Sequence, residues 1–385
     1  MKPKERGSRL PAIVRILATL IGIGPNRHTD LQSALKSRPI IPMVVVLIAI
    51  RFRRLIRKLA DPLARNAGRL LGSSKKSDCV AAGKGLALNA IALAGASGEG
   101  QALLLPQIVS DGSFPKLIFQ TWRSKVSMPD NYARWSESLK RMNPDFEYVL
   151  WDDFDNRRFI ETYHSWFLPI YDSYPREIYR ADAVRYFFLY QFGGLYADMD
   201  TECLRPVAPL FKSGDVWLGR MGNDPDFPHS IPNAIMASRP LQEFWLLVIH
   251  LLVEKAKALG VPAAMVGKGP EAMTGPILLK NAYDAYTSSE RSAVREMIQE
   301  IAARLPANLQ PQAKVSRVDL LDPDYWYPIN WSNMIHLRLS CEIVDFNLAL
   351  GGRTKRWLFP KSFLVPYWTH SWKPTLRKQQ NHRVC

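Results

Sequence analysis

The feature that most constrains the fold of this chain is one continuous segment, residues 176–200, in which a helix and a strand follow each other directly. Arg176–Phe192 has helical spacing and is rich in aromatic and aliphatic residues. Gly193-Gly194 ends this helix, because glycine tolerates the left-handed backbone conformation at a helix C-terminus. Leu195–Ala197 then predicts a short strand that ends at Asp198. A buried helix that leads straight into a buried strand is typical of α/β proteins.

Strands and helices alternate on both sides of this segment. Such alternation predicts an α/β fold with a mixed, mostly parallel central sheet and flanking helices. Ligands of these sheets bind beyond the carboxyl ends of the strands, and two acidic pairs, Asp152/Asp153 and Asp198/Asp200, fall at predicted strand ends. The other predicted strands are 116–119, 146–151 and 216–218, and the other predicted helices are 132–142, 155–163 and 241–259.

Asp198 and Asp200 form an Asp-x-Asp pair. Alternate residues of an extended segment point to the same side, so both carboxylates can bind one divalent cation. The chain holds four such pairs, and those at 224/226 and 322/324 have a central proline that is typical of turns. An isolated Asp-x-Asp is ordinarily a solvated turn. The helix, the glycines and the strand that precede it favour a metal site at 198/200.

Asp182 and Arg185 lie three residues apart on the predicted helix and therefore on one face of it. Their neighbours are mostly apolar or aromatic, so the helix is expected to be buried. Buried charges need an opposite charge or a ligand. Two interpretations stay open, a structural ion pair and a contact to a ligand, and the second is favoured.

The formal net charge of +16 is concentrated in the N-terminal part of the chain. Residues 1–84 hold 18 basic and four acidic residues, a net charge of +14, whereas the remainder holds 33 and 31, a net charge of +2. The nearly neutral remainder gives no reason to expect a nucleic-acid partner. The four cysteines show no CxxC spacing, so a zinc site is not expected either.

Residues 1–105 are interpreted as a basic, partly apolar arm and linker, and 106–385 as the domain that carries the acidic pairs. The arm has two apolar runs, 10–24 and 40–50, and neither cleanly reaches the roughly 18 apolar residues that a membrane-spanning helix needs. Three interpretations are open: an arm without a membrane role, a shallow membrane anchor whose basic residues bind anionic headgroups, and a signal anchor or transit peptide. The shallow anchor is favoured, which makes a membrane surface an expected partner.

Four ordered blocks of sequence resemble the sugar-binding region containing the DXD motif of glycosyltransferase family 32. These blocks are Phe114–Trp122, Tyr148–Asp153, Arg180–Tyr186 and Gly193–Asp200. The resemblance covers roughly 114–285 and a C-terminal His-Ser-Trp. The family includes fungal initiation-type α-mannosyltransferases, mannosyl inositol-phosphorylceramide synthases and bacterial enzymes. The resemblance implies a GT-A type nucleotide-sugar-binding fold and the activity of a retaining transferase.

The resemblance also implies roles for individual residues. Asp182, Arg185 and Asp200 are expected to be catalytic, and Asp198 and Asp200 to bind Mn²⁺ or Mg²⁺, with His370 as a third ligand. One departure is visible, since the family often has His where this chain has Phe119. Asn233 is expected on the acceptor side. The expected donor-binding residues are Trp122, which stacks on the base, and Arg180, Asp182, Arg185, Tyr196, Asp198, Ser371 and Trp372.

These observations predict a metal-dependent retaining glycosyltransferase. It would move a hexose, with mannose favoured, from GDP-mannose or a UDP-hexose to a lipid-linked or glycan acceptor. A divalent cation held by carboxylates can neutralise the departing diphosphate. The expected location is membrane-associated, in the Golgi or secretory pathway of a eukaryote or on the cytoplasmic face of a bacterial inner membrane. Two alternatives are an Asp-x-Asp metal-dependent phosphohydrolase and a non-catalytic membrane-surface sugar-binding protein.

Overall fold

The structure is a computed structural model that describes residues 105–106, 112–258, 269–331 and 352–369. The strands are β1 (Leu117–Thr121), β2 (Glu147–Trp151), β3 (Gly194–Ala197), β4 (Thr201–Cys203), β5 (Val216–Gly219), β6 (Ile235–Ser238), β7 (Val318–Leu321) and β8 (Leu364–Pro366). The helices are α1 (Asp130–Met142), α2 (Asp153–Tyr163), α3 (Leu168–Ser173), α4 (Glu177–Gln191), α5 (Glu243–Ala258), α6 (Pro270–Met273), α7 (Pro276–Thr287), α8 (Arg291–Ala302), α9 (Pro323–Trp326) and α10 (Gly352–Leu358).

Six strands form the central sheet in the order β2-β1-β3-β6-β5-β7. The neighbours β2, β1 and β3 are parallel, and so are β5 and β7. The strand β6 runs antiparallel to both β3 and β5. The sheet is therefore mixed and mostly parallel with flanking helices, which confirms the predicted GT-A type α/β class.

The helix α4 is buried along most of its length. The five consecutive residues 186–190 are all fully buried. Four of them are aromatic and one is aliphatic, so all sides of the helix are apolar or aromatic here. A helix that is apolar on every side has to lie inside the protein. The helix packs on α5, which carries a similarly apolar sequence, and it leads through Gly193-Gly194 into β3. The predicted helix and strand of residues 176–200 are thus both buried inside the domain.

The glycines between α4 and β3 are required by space as well as by backbone conformation. Gly193 and Gly194 have φ angles of 68° and 86°. A Cβ on Gly193 would lie 2.6 Å from the carbonyl oxygen of Ser238, and one on Gly194 would lie 2.7 Å from that of Leu117. Both contacts are far too short, so only glycine lets α4 turn into the sheet here.

A small two-stranded sheet lies next to the carboxyl end of β3. It pairs β4 with β8 in antiparallel fashion, so Thr201 faces Pro366. The backbone N–H of Tyr367 donates to the carbonyl oxygen of Asp200 at 3.0 Å. A late segment of the chain is thereby held against the Asp-x-Asp pair.

Most predicted elements have their observed counterparts within two residues at either end. The strands β4, β6, β7 and β8 were not predicted. Among the described residues, no helix is both long and apolar enough to cross a membrane. All of the predicted basic arm except Leu105 lies outside the described residues, so the boundary at 105/106 and the membrane interpretation stay predictions.

Candidate active site

A cleft of about 570 Å³ opens at the carboxyl ends of β1, β2 and β3. This is the edge of the sheet at which the sequence places the two acidic pairs. The polar side chains along it are Thr121, Arg123, Asn131, Asp153, Glu177, Asp182, Arg185, Asp198, Asp200, His229, Asn233, Glu271 and Thr369. The aromatic ones are Trp122, Tyr132, Trp135, Tyr196, Trp331 and Trp368.

Asp198 and Asp200 lie in a tight turn between β3 and β4 and not on the extended strand that the sequence suggested. The strand ends at Ala197, and the N–H of Thr201 donates to the carbonyl oxygen of Asp198 at 3.0 Å. The turn is also held by the residue that precedes β6, because the N–H of Asp198 donates to the carbonyl oxygen of Ala234 at 2.8 Å. Both aspartates nevertheless line the same cleft, since the turn folds over the end of the sheet.

The carboxylate of Asp198 is held by two side chains. Nη1 of Arg185 lies 3.2 Å from its Oδ1, and the hydroxyl of Tyr196 donates to the same oxygen at 2.9 Å. The guanidinium carbon of Arg185 also lies 4.5 Å from the centre of the Tyr196 ring, within cation–π distance. Burial, with a further contribution from Asp200, raises the pKa of Asp198 to about 6. A second positive charge near this carboxylate would therefore be favourable.

Asp182 and Arg185 form the ion pair predicted from their spacing. Nη2 of Arg185 lies 2.9 Å from Oδ1 of Asp182, and both side chains are more than nine-tenths buried. The amide of Asn233 donates to the same oxygen at 3.1 Å, and the hydroxyl of Thr274 donates to Oδ2 at 3.4 Å. Burial raises the pKa of Asp182 to about 6 in spite of the opposing charge of Arg185. Arg185 thus links Asp182 to Asp198, and all three line the cleft.

Asn233 enters the site because β6 runs antiparallel to β3. Its chain position places it next to the carboxyl end of β3, where Ala197 pairs with Ile235. Its carbonyl oxygen accepts a hydrogen bond from Nη1 of Arg185 at 2.8 Å. The residue is therefore part of the network around Arg185.

Asp200 is oriented by Thr369. The backbone N–H and the hydroxyl of Thr369 both donate to Oδ2 of Asp200, at 2.8 and 3.0 Å. The hydroxyls of Thr369 and Tyr132 are also hydrogen-bonded, at 2.8 Å. Burial raises the pKa of Asp200, and the two hydrogen bonds from Thr369 act in the opposite direction.

The acidic pair fits a hard divalent cation. Mn²⁺ and Mg²⁺ prefer carboxylate oxygens, and Asp198 and Asp200 offer two carboxylates on one turn at the cleft wall. Burial raises the pKa of both carboxyl groups, and the charge of Asp200 raises that of Asp198 further, so a bound cation would offset a cost of ionising them. The carboxylate oxygens of Asp198 and Asp200 are therefore suitable ligands for the Mn²⁺ or Mg²⁺ that the sequence led us to expect.

Trp122 lies at the end of β1 on the cleft wall. Its indole N–H donates to the carbonyl oxygen of Ser127 at 2.9 Å, and its ring lies 4.6 Å from that of Tyr132. Phe119, which replaces the histidine common in the family, faces away from the cleft into the core. It stacks on Phe188 and Phe192 at 5.3 and 5.9 Å, so the departure changes the core and not the cleft lining.

Arg180 is not brought into the cleft lining, unlike its neighbours on α4. Its Nε donates to Oε2 of Glu177 at 2.8 Å, and its Nη1 donates to the carbonyl oxygen of Tyr174 at 2.6 Å. These contacts tie Arg180 to the start of α4.

The predicted C-terminal site residues His370, Ser371 and Trp372 lie outside the described residues, directly after Thr369.

The other three Asp-x-Asp pairs stabilise local backbone structure outside the turn that follows β3. The N–H of Asp226 donates to the side chain of Asp224, and that of Asp324 donates to the side chain of Asp322, both at 3.0 Å. The 224/226 pair thus lies in the turn that its central proline predicted, whereas Asp322 caps α9, and Pro323 and Asp324 are the first residues of that helix. The fourth pair, 153/155, lies in the first turn of α2.

Several cleft residues were not predicted from the sequence. Asp153 was noted only as a strand-end residue, although its position after β2 was a usable signal. Thr369 was missed because a lone threonine carries no chemical signature, yet it directly precedes the predicted His-Ser-Trp segment. Glu177, His229 and Trp331 gave no local signal, since only the tertiary fold brings them to the cleft.

Residues 129–218 match the protein family described as "Glycosyltransferase sugar-binding region containing DXD motif". Three of the four sequence blocks lie within this range, and so do Asp182, Arg185 and the Asp-x-Asp pair. The resemblance to DXD-containing glycosyltransferases is thereby confirmed for the part of the chain that carries the site.

Two curated relatives come from Schizosaccharomyces pombe. Inositol phosphoceramide mannosyltransferase 2 is 33% identical over 182 residues, which are 47% of this chain and 50% of that protein. Inositol phosphoceramide mannosyltransferase 3 is 37% identical over 174 residues, 45% of this chain and 46% of that protein. This chain thus spans about half the length of the curated relatives it matches.

A solved structure also aligns with the chain. PaToxG Glycosyltransferase aligns with a TM-score of 0.35 at 15% identity, over 53% of this chain and 81% of that one. Similarity this low supports no inference about the site.

Proposed function

We propose that this protein is a metal-dependent retaining glycosyltransferase that moves mannose from GDP-mannose to a lipid-linked acceptor. The observation that carries the proposal is the network centred on Arg185. This one buried guanidinium contacts Asp182 and Asp198, and Asp200 lies on the same turn as Asp198 at the same cleft. The network brings together groups for a sugar and groups for a cation-bound diphosphate.

Asp182, Arg185 and Asn233 are suited to sugar hydroxyls. A carboxylate accepts hydrogen bonds, whereas a guanidinium and a side-chain amide donate them, so together they can bind both sides of a hydroxyl. Their mutual contacts hold them in place before a ligand arrives, which reduces the entropy lost on binding. We assign Asp182 and Arg185 to the donor sugar, whereas Asn233, which contacts both of them, stays assigned to the acceptor side of the cleft.

Asp198 and Asp200 would hold Mn²⁺ or Mg²⁺, which neutralises the negative charge of the departing diphosphate when bound. Thr369 fixes the carboxylate of Asp200, and Arg185 and Tyr196 fix that of Asp198. His370 is proposed as a third ligand on the basis of the family resemblance. We assign no general base, because the leaving diphosphate can accept the proton of the acceptor hydroxyl.

The proposed sugar and acceptor follow from the relatives' names. Both relatives described above are inositol phosphoceramide mannosyltransferases, which supports mannose as the sugar and a phosphorylated sphingolipid as the acceptor class. The basic residues of 1–84 would favour an anionic membrane surface, where such an acceptor resides. We therefore place the protein at a membrane, in the secretory pathway of a eukaryote or on the inner membrane of a bacterium.

A phosphohydrolase with Asp198 as covalent nucleophile is the less favoured alternative. Such an enzyme would have no use for Asp182 and Asn233, which contact each other in the cleft. A non-catalytic sugar-binding protein would not need both carboxylates of the Asp-x-Asp pair at the cleft.

The proposal is tested with a panel of nucleotide sugars. Thermal unfolding of the full chain is followed with GDP-mannose, UDP-glucose, UDP-galactose and UDP-N-acetylglucosamine, each with Mn²⁺ or with EDTA. We expect GDP-mannose to raise the unfolding temperature most, and only when Mn²⁺ is present. Failure of every nucleotide sugar to stabilise the protein would overturn the proposal, and a larger effect of a UDP-sugar would overturn the choice of donor.

A further inference from the structure

Asp153 lies beside the predicted base-stacking residue. The strands β1 and β2 are parallel and in register up to Thr121 and Trp151. The N–H of Trp122 then donates to the carbonyl oxygen of Trp151 at 3.0 Å, which extends the pairing by one residue. Asp153 follows two residues after Trp151, and both Asp153 and Trp122 line the cleft at the carboxyl ends of these two strands.

The carboxylate of Asp153 contributes to α2 only through its negative charge in the first turn, in contrast to two nearby acids whose side chains make specific contacts. The side chain of Asp152 accepts from the N–H groups of Phe154 and Asp155 and caps α2. That of Asp155 accepts from the N–H of Asp152 and pairs with Lys125. Within the described part of the chain, Asp153 has neither a hydrogen bond nor an ion pair through its side chain.

The surroundings of Asp153 leave this acceptor unsatisfied. Burial, followed by the charges of Glu177 and Asp152, raises its pKa to about 6, while Arg180 and Arg123 act in the opposite direction. Arg180 is committed to Glu177 by a hydrogen bond of 2.8 Å. A half-buried carboxylate at a cleft wall that lacks a protein partner is well placed to accept hydrogen bonds from a ligand.

Guanine offers the edge that such a carboxylate prefers. Its N1–H and its 2-amino group are adjacent donors, so both oxygens of one carboxylate can accept at once. Uracil offers a single N–H between two carbonyl oxygens, and these would face the carboxylate unfavourably. Adenine offers an amino donor next to an acceptor nitrogen. A carboxylate can therefore accept two hydrogen bonds from guanine and only one from uracil, whose carbonyl oxygens repel its second oxygen, so it favours guanine.

We infer that Asp153 recognises the base of the donor by accepting hydrogen bonds from N1–H and the 2-amino group of guanine stacked on Trp122. The inference rests on the proposed function and deepens it, since it names the residue that sets the choice of nucleotide. Asp153 is then a specificity residue and takes no part in transfer of the sugar.

The test compares nucleoside diphosphates that differ only at the base edge. Binding of GDP, IDP, XDP and UDP is measured by calorimetry with Mn²⁺ present, for the full chain and for Asp153→Asn. Hypoxanthine lacks the 2-amino group, and xanthine carries an oxygen in its place. The matched control is Asp145→Asn, which removes an exposed carboxylate paired with Lys116 away from the cleft.

The parent chain is expected to bind GDP at least about tenfold more tightly than IDP, because one hydrogen bond to a charged group is lost. Asp153→Asn should weaken GDP binding by a similar factor and strengthen XDP binding, since the amide can donate to the 2-oxygen of xanthine. A gain of XDP affinity cannot arise from misfolding. Asp145→Asn should leave all four affinities unchanged.

Two outcomes would overturn the inference in different ways. If the parent chain binds GDP but Asp153→Asn keeps the same order of affinities for GDP, IDP and XDP, then Asp153 does not bind the base. The proposed function stands in that case. If the parent chain binds none of the four diphosphates with Mn²⁺, the inference and the proposed function fall together.

Discussion

Thr369 donates both its backbone N–H and its hydroxyl to a single oxygen of Asp200, at 2.8 and 3.0 Å, across a separation of 169 residues. The pairing of β4 with β8 makes this contact possible, because Thr201 and Pro366 face each other beside it. The second carboxylate of the motif is thus positioned by a segment that joins the site only when the whole domain has folded.

The hydroxyl of Thr369 should contribute to cation binding through Asp200. Thr369→Val keeps the shape and the backbone N–H but removes the hydroxyl, so we expect Mn²⁺ affinity in the presence of GDP to fall about tenfold. Calorimetry measures this directly. Thr287→Val is the control, because Thr287 is exposed and bonds only within α7. Equal Mn²⁺ affinity of Thr369→Val and the parent chain would contradict the assignment.

Arg185 should be essential for stability as well as for binding. Arg185→Met leaves Asp182 and Asp198 without their cation, and breaking a buried pair in this way costs about 3–5 kcal/mol of the free energy of unfolding. Urea unfolding measures the loss. Arg157→Met is the matched control, since Arg157 pairs with Asp172 at 2.8 Å but both side chains are more than two-fifths exposed. We expect a loss below about 1 kcal/mol there, and similar losses in the two variants would refute the argument.

The effect of Mn²⁺ on stability should depend on pH. Asp198 has a pKa of about 6 in the folded, metal-free protein, against an ordinary value of 3.8. The protonated side chain therefore stabilises the fold at low pH, and this contribution is lost as pH rises through 6. Mn²⁺ needs the ionised form, so its affinity should fall about tenfold for each pH unit below 6.

This dependence is visible in unfolding temperatures measured with Mn²⁺ and with EDTA between pH 5 and 7.5. The increase caused by Mn²⁺ should grow as pH rises through 6 and then level off. In Asp198→Asn the increase should be small at every pH. An increase of the same size at pH 5 and pH 7 in the parent chain would show that Asp198 is not a ligand.

Gly193 should tolerate alanine far less than Gly112 does. Both have positive φ angles, 68° and 76°, but a Cβ on Gly112 meets nothing within 4 Å, whereas one on Gly193 meets backbone atoms at 2.6–2.9 Å. Gly112→Ala should cost about 1 kcal/mol, the conformational penalty alone. Gly193→Ala should cost about 1–3 kcal/mol more, because α4 and β6 must move apart. Equal free energies of unfolding would show that the close approach is not needed.

The sequence predicted the part of the fold that rests on local signals. The helix α4, its glycine end and β3 were predicted within about one residue, since apolar periodicity and glycine act over short distances. The strands β6 and β7 have only four residues each, and their pairing with distant segments defines them. The local sequence pattern therefore did not predict these two strands.

The candidate site was predictable where chemistry and spacing coincide. The ion pair of Asp182 and Arg185 follows from helical spacing, and the shared cleft of Asp198 and Asp200 follows from the motif. The geometry behind the motif was wrong, because the pair lies in a turn. Thr369 and Asp153 could not be assigned, since their roles depend on a strand pairing and on a register that appear only in three dimensions.

The most direct test of the account is the release of GDP from GDP-mannose, measured with inositol phosphoceramide present in detergent micelles. The parent chain and Asp145→Asn should release GDP with Mn²⁺ and stop when EDTA is added. Asp200→Asn should fold, as judged by circular dichroism, and release GDP only at the background rate. Release by Asp200→Asn at the rate of the parent chain would contradict the claim that the Asp-x-Asp pair binds the cation on which transfer depends.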